Sequence, residues 1–170
     1  MFLGDRKYVL LYLINFNIAG VGKTSIIVTL ISDNFPRQVQ KTYHPVTISP
    51  DHYLLPNKVY TQLIDTPSGK QEEQNNDTQI EKAHIIILVY DVMVDESIKR
   101  LNSYWMPRIS KINEKVPVIF VGNKVDLRLK GENELTNLLN HTFEKFKQVQ
   151  MGIECSAKAY INLIDVIASA

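Results

Sequence analysis

The sequence predicts an α/β fold in which helices cover a mainly parallel sheet with one antiparallel edge strand. Three observations predict it. Apolar runs at 8–15 (YVLLYLIN), 85–90 (IIILVY) and 118–121 are too continuous for strands that face water on one side. Segments between them repeat their apolar residues at helical spacing, and such alternation implies crossover connections between parallel strands. Two short strand-like segments, 52–55 and 59–64, flank Pro56-Asn57-Lys58, which supplies the antiparallel hairpin.

Taken in order, the first strand is followed by a helix over 23–31. Residues 33–50, broken by Pro36, Pro45 and Pro50, read as a long irregular stretch. After the hairpin, 66–79 (TPSGKQEEQNNDTQ) is the most polar part of the chain and is expected to be loop-like and mobile. Beyond the strand at 85–90, Ile98, Leu101, Trp105 and Ile112 share a helix face, with Asp95 as the expected N-cap. Pro107 should kink that helix, because it removes one backbone donor and crowds the preceding turn. Leu135, Leu138, Leu139, Phe143 and Phe146 mark one face of a further amphipathic helix. A short strand near Ile153 and a helix from about Ile161 complete the pattern, so 1–170 is expected to be one domain.

Composition narrows the functions available. The 170 residues are 45% hydrophobic and 22% charged, as in an ordinary globular chain. With 19 basic against 18 acidic residues the net charge is +1, which gives no electrostatic case for a nucleic-acid partner. The single cysteine, Cys155, cannot form an internal disulfide and is expected to be a small buried hydrophobe in a reducing compartment. The apolar run at 8–16 is too short to cross a bilayer, and the C-terminus lacks a cysteine-based prenylation signal, so no membrane anchor is expected in this chain.

In open parallel sheets, ligands bind beyond the carboxyl ends of the strands, and the chemically pointed motifs fall there. After the first strand comes Asn17-Ile18-Ala19-Gly20-Val21-Gly22-Lys23-Thr24-Ser25, close to G-x-x-x-x-G-K-[ST]. In that pattern successive backbone N–H groups curl around a phosphate at a helix N-terminus. Lys23 would reach the β- and γ-phosphates, the Thr24 hydroxyl would ligate Mg²⁺, and Asn17 replaces the first glycine. After 118–121 comes Gly122-Asn123-Lys124-Val125-Asp126. The Asp126 carboxylate can accept from guanine N1–H and the 2-amino group, neither of which adenine offers. Asn123 can bond both base and phosphate loop, and the Lys124 stem can lie against the base. The third motif is Glu154-Cys155-Ser156-Ala157-Lys158, with Ala157 N–H aimed at the guanine carbonyl and Lys158 packing on the base. Read alone, Ser156 would be a helix N-cap. Asp65, ending a strand, could hold Mg²⁺ through water.

These signatures, with Val89-Tyr90-Asp91-Val92, resemble the Ras-like small GTPases over almost the whole chain. The resemblance implies the three-layer phosphate-loop NTPase fold with a six-stranded sheet, GTP or GDP with Mg²⁺, and two switch segments that respond to the γ-phosphate. It further implies effectors, exchange factors and GTPase-activating proteins that meet the chain at about 36–50 and 66–80. Asp33-Asn34-Phe35-Pro36, Trp105-Met106-Pro107 and the short span from Asp126 to Ser156 are similar to the N-terminal GTPase domain of mitochondrial Rho (Miro) proteins. That similarity would make the chain a fragment or a divergent relative, placed in the cytoplasm or on the cytosolic face of the mitochondrial outer membrane.

By family spacing from Phe35, Thr42 senses the metal, with Thr47 as the alternative. Phe35 packs edge-on against the base or is a plain hydrophobic anchor. The departures bear on catalysis. Ser68 replaces the glycine whose N–H senses the γ-phosphate, and Gly69 replaces the glutamine that orients the attacking water. Gln71 could substitute only if the loop shifted, and Ala19 crowds a position that is often glycine. Catalytic candidates are therefore Lys23, Gly69 and Gln71. Three functions follow: a regulatory GTPase with slow hydrolysis, a GTP-binding interaction module without turnover, or an ATP-using phosphate-loop enzyme. His44, His52, His84 and His141 show no metal-ligand spacing.

Overall fold

The apolar runs become the centre of a six-stranded sheet of order β2-β3-β1-β4-β5-β6. The computed structural model describes residues 8–14, 20–40, 42–55, 59–67, 73–128 and 135–170. Strand β1 (Tyr8–Ile14) lies parallel between β3 (Tyr60–Asp65) and β4 (Ile85–Asp91). Strands β5 (Val118–Asn123) and β6 (Val149–Glu154) extend the parallel side, and β2 (Val46–Ile48) closes the other edge antiparallel to β3.

Alternate residues of the central strands supply two cores, one on each face. Ile87, Val89, Ile119 and Val121 point to the side covered by α1 (Lys23–Ser32) and α6 (Leu163–Ala168), where Ile26, Ile27, Leu30, Val166 and Ile167 are buried. Ile86, Leu88, Tyr90, Val118 and Phe120 point to the other side. There they meet Ile80 of α2 (Glu73–Lys82), Leu101, Trp105, and Met106 and Ile109 of α4 (Met106–Ile112). Phe143 of α5 (Leu135–Lys145) packs against the same core, and the side chains of Leu135, Leu138 and Leu139 lie outside the described residues. Two-sided burial explains why β4 and β5 read as unbroken apolar runs.

Three expectations are corrected. The antiparallel partner of β3 is Val46–Ile48, in register Val46 with Leu63 and Ile48 with Thr61, and not residues 52–55. Residues 52–55 form a turn whose neighbouring Leu54 and Leu55 are both buried, which alternating strand geometry would not allow on one face. Residues 56–58 lie outside the described residues. The polar stretch is not loop throughout, because Glu73–Lys82 is helical. Ile80 and Ala83 anchor that helix in the core, Arg108 Nε donates to Asp77 Oδ1 at 2.8 Å, and Asn113 Nδ2 donates to Ile80 O. Asp95 is the first residue of α3 (Asp95–Arg100), where a carboxylate suits the helix dipole, and the cap position belongs to Val94. At Pro107 the chain continues through a wide turn, Leu101–Trp105, in which Met106 N–H reaches Leu101 O. Helical backbone continues on both sides of that turn, so the regular ladder is interrupted just before Pro107, whose ring carries no N–H to donate. Among the described residues, no helix is long and apolar enough to cross a membrane.

Candidate functional site

Asp65, Asp91, Asn123 and Glu154 close β3, β4, β5 and β6, so four polar residues share one edge of the sheet. The first helix begins beside them. Gly20 and Gly22 take left-handed φ values of 87° and 95°, and Lys23, Thr24 and Ser25 are buried in the first turn of α1. That turn holds no acidic side chain, so the positive end of the helix dipole is unopposed there. Asn17, Ile18 and Ala19 lie outside the described residues.

Thr24 Oγ1 donates to Asp65 Oδ2 at 2.6 Å, and Tyr43 N–H donates to the same oxygen at 2.8 Å. Among the described residues, Asp65 Oδ1 is buried without a hydrogen-bond partner. Burial pushes the Asp65 carboxyl above its ordinary value, against the opposing pull of Thr24, Tyr43 N–H and the Lys23 charge. Burial likewise lowers the Lys23 ammonium, partly offset by Asp65. An unpaired buried carboxylate oxygen beside a threonine hydroxyl suits a hard divalent cation, which takes oxygen ligands and would restore the missing partner. The Tyr43 bond puts Thr42 one residue from this carboxylate, whereas Thr47 is exposed in β2 opposite Gln62.

Asn123 joins the loops. It is 2% exposed, its Nδ2 donates to Val21 O at 3.0 Å, and its Oδ1 accepts from Ala157 N–H at 3.1 Å. The Cys155 thiol also points at Oδ1, at 3.8 Å. The approach needs Gly22, since a Cβ there would fall on Asn123 Nδ2. Gly122 serves the same end on the other face, where a Cβ would strike the Tyr90 hydroxyl. Gly22→Ala should therefore cost about 2–3 kcal/mol, from strain at positive φ plus the collision. Gly20→Ala, where a Cβ meets nothing within 4 Å among the described residues, should show the backbone strain alone. Thermal unfolding of the two variants checks this: equal losses would remove the Asn123 collision from the account.

Asp126 is exposed, and its Oδ1 accepts from Ser156 Oγ at 2.5 Å. Ser156 Oγ in turn accepts from Ala159 N–H at 2.9 Å, so Ser156 sets a turn and orients Asp126, with no helix starting there. Lys124 adopts φ 72° and pairs with Asp91 Oδ2 at 2.5 Å. With the lysine side chain about a third exposed, that pair adds on the order of 1 kcal/mol or less, and its effect is to fix the course of the Lys124 stem. Cys155 is fully buried, its thiol pushed up to about 12 by burial and by Glu154, which makes it inert at neutral pH.

The structure thus brings Gly20, Val21, Gly22, Lys23, Thr24, Ser25 and Asp65 to one end of the site, and Asn123, Lys124, Asp126, Ser156 and Ala157 to the other. Lys158 is exposed. Ser68, Gly69 and Gln71 lie outside the described residues. One feature departs from expectation: Ala157 N–H is already engaged by Asn123 Oδ1, so a base carbonyl would have to share or displace that acceptor. Sequence reasoning gave no role to Asp91, to Tyr160, or to the Arg128–Glu154 ion pair at 2.7 Å.

The Ras family's sequence profile matches residues 14–170. Mitochondrial Rho GTPase 1 of Mycosarcoma maydis is 34% identical over 151 residues, covering 86% of this chain and 19% of the relative. Mitochondrial Rho GTPase 1 of Cryptococcus neoformans is 36% identical over 150 residues, covering 86% and 21%. Mitochondrial Rho GTPase 2 of Arabidopsis thaliana is 31% identical over 148 residues, covering 86% and 23%. The chain therefore spans about a fifth of the length of these relatives. With its matched profile, its sheet order and the three loops gathered at one sheet edge, the chain belongs to the Ras family.

Proposed function

We propose that residues 1–170 form one guanine-nucleotide-binding domain that acts as a nucleotide-dependent regulatory switch and hydrolyses GTP slowly. The observation that carries this reading is Asn123, whose amide bonds the phosphate-loop residue Val21 on one side and Ala157 on the other. A base held between Asp126 and the Ser156–Ala157 pair would thus share a framework with phosphates held at the start of α1.

Lys23 and the N–H groups of Gly22, Lys23, Thr24 and Ser25 would meet the phosphates, with Gly20 and Val21 shaping the loop and Ala19 beside it. Asp126 would accept from guanine N1–H and the 2-amino group, Ala157 N–H would donate to the carbonyl, and the Lys124 and Lys158 stems would flank the ring. Thr24, Thr42 and Asp65 would hold Mg²⁺, which when bound supplies charge neutralisation between the phosphates. Effectors, exchange factors and activating proteins would read segments 36–50 and 66–80, and similarity to mitochondrial Rho GTPases suggests the cytosolic face of mitochondria as the place of action.

Gly69 favours a second reading, a module that binds GTP without turning it over, because glycine carries no side chain to orient a water and Gln71 could substitute only if the loop shifted. Single-turnover hydrolysis by the purified domain decides between the two. A rate clearly above the solution reaction supports the slow switch, and a rate equal to it supports the module.

Asp65 makes the metal step pH-sensitive. Its folded pKa lies above its ordinary value of 3.8, so this group favours the empty fold more as pH falls through the folded pKa. Where Asp65 is protonated, Mg²⁺ binding has to displace that proton. The gain in melting temperature that Mg²⁺ gives the GDP-bound domain should therefore shrink as pH falls through that raised pKa, and begin to do so at a higher pH than an ordinary aspartate would allow. A gain undiminished over that fall in pH would remove Asp65 from the metal site.

A further inference from the structure

The turn that leaves α1 is held from the far end of the chain. Asp33 caps α1 in a left-handed conformation at φ 52°, and Ser32 Oγ and Asn34 bond each other's backbone. Tyr160 closes this turn from outside: its hydroxyl donates to Asp33 O at 3.0 Å and accepts from Phe35 N–H at 2.8 Å. Both partners are backbone atoms, so the hydroxyl fixes the path of the chain and not merely one side-chain rotamer.

Tyr160 belongs to the same loop as Ser156, Ala157 and Lys158. Reciprocal backbone bonds between Ser156 and Ile161, at 3.0 and 3.1 Å, close that loop, and Ser156 Oγ ties it to Asp126. Tyr160 itself sits at φ 60°, where a bulky residue is strained, and its residue surface is 50% exposed. Burial of the ring therefore explains little of why a tyrosine stands there. The two long-range bonds are what the position provides. Phe35, the residue it holds, keeps 38% of its surface open.

We infer that Tyr160 is a positioning residue of the base site: its hydroxyl clasps the Asp33-Asn34-Phe35 turn to the base loop, sets Phe35 beside the base, and slows nucleotide release. This rests on the guanine-nucleotide reading above. The same clasp joins the base loop to the entry of segment 36–50, so leaving of the base and loosening of that segment are one event.

Release of a fluorescent GDP from the Mg²⁺-loaded chain, chased with unlabelled GDP, tests the inference. Tyr160→Phe keeps the ring and removes the hydroxyl, and it should speed release about tenfold. Tyr160→Asn suits the left-handed backbone better than tyrosine does but cannot reach Asp33. It should speed release as much, although a purely structural role predicts that Asn is harmless. In a Phe35→Leu background, whose own release should be faster on this account, Tyr160→Phe should add nothing. Wild-type release rates in both Tyr160 variants, or effects that multiply in the double variant, would overturn the inference while leaving guanine binding intact. Absence of saturable GDP binding by the wild-type chain overturns the guanine reading and this inference with it.

Discussion

Asp126→Asn should lower GTP and GDP affinity about a thousandfold or more and turn the preference toward xanthosine nucleotides. The carboxylate is the only group at this position that can accept from both N1–H and the 2-amino group, and a site built on such bonds discriminates by about 10⁴ when they are lost. An amide at 126 instead donates to the 2-carbonyl that xanthine carries. Ser156 holds Oδ1 from one side, so the substitution keeps a polar partner and the fold should survive it. Titration of the variant with fluorescent GDP and XDP reads the switch. A variant that still prefers guanine would show that Asp126 orients Ser156 and does not read the base.

Asn123→Ala should be the most damaging change to site and fold together. It leaves Val21 O and Ala157 N–H without partners in a place that is 2% exposed. Stranding these two groups costs roughly 2–4 kcal/mol, or about 5–15 °C in melting temperature for a chain of this length. Affinity for GDP should fall about a hundredfold beyond any effect of partial unfolding, because the phosphate loop and the base loop lose their common brace. Melting curves with binding measured well below the transition separate the two effects. If affinity holds while stability falls, Asn123 is a core residue only.

The sheet was legible because its strands are buried on both faces. Residues 85–90 and 118–121 carry a signal that no other structure of that length imitates once turns bound it. Helix α2 was not legible. Its sequence, EQNNDTQIEK, shows a single strongly apolar residue, Ile80, and its place is set by Arg108 and Asn113, some thirty residues away. The edge strand hid for a related reason. A three-residue strand, Val46–Ile48, set between Pro45 and Pro50 is too short a run to show alternation, whereas the adjacent Leu54 and Leu55 imitate a strand from inside a turn.

At the site, each motif was visible where its residues are consecutive, as in Gly22-Lys23-Thr24 and Asn123-Lys124-Val125-Asp126. What joins the motifs was invisible. The Asn123–Val21, Lys124–Asp91 and Tyr160–Phe35 bonds link residues 33 to 125 positions apart, and such pairs leave no local pattern. Asp65 shows the same limit: its position at a strand end was readable, but its unpaired oxygen and raised pKa follow only from burial.

Competition between nucleotides bears most directly on the central claim that this site reads guanine. Purified domain loaded with fluorescent GDP and Mg²⁺ is titrated with GDP, GTP and ATP under one set of conditions. GTP and GDP should displace the label at comparable low concentrations, with ATP at least about a thousandfold weaker, as expected for a base site whose bonds adenine cannot make. Displacement by ATP as readily as by GTP would contradict the account.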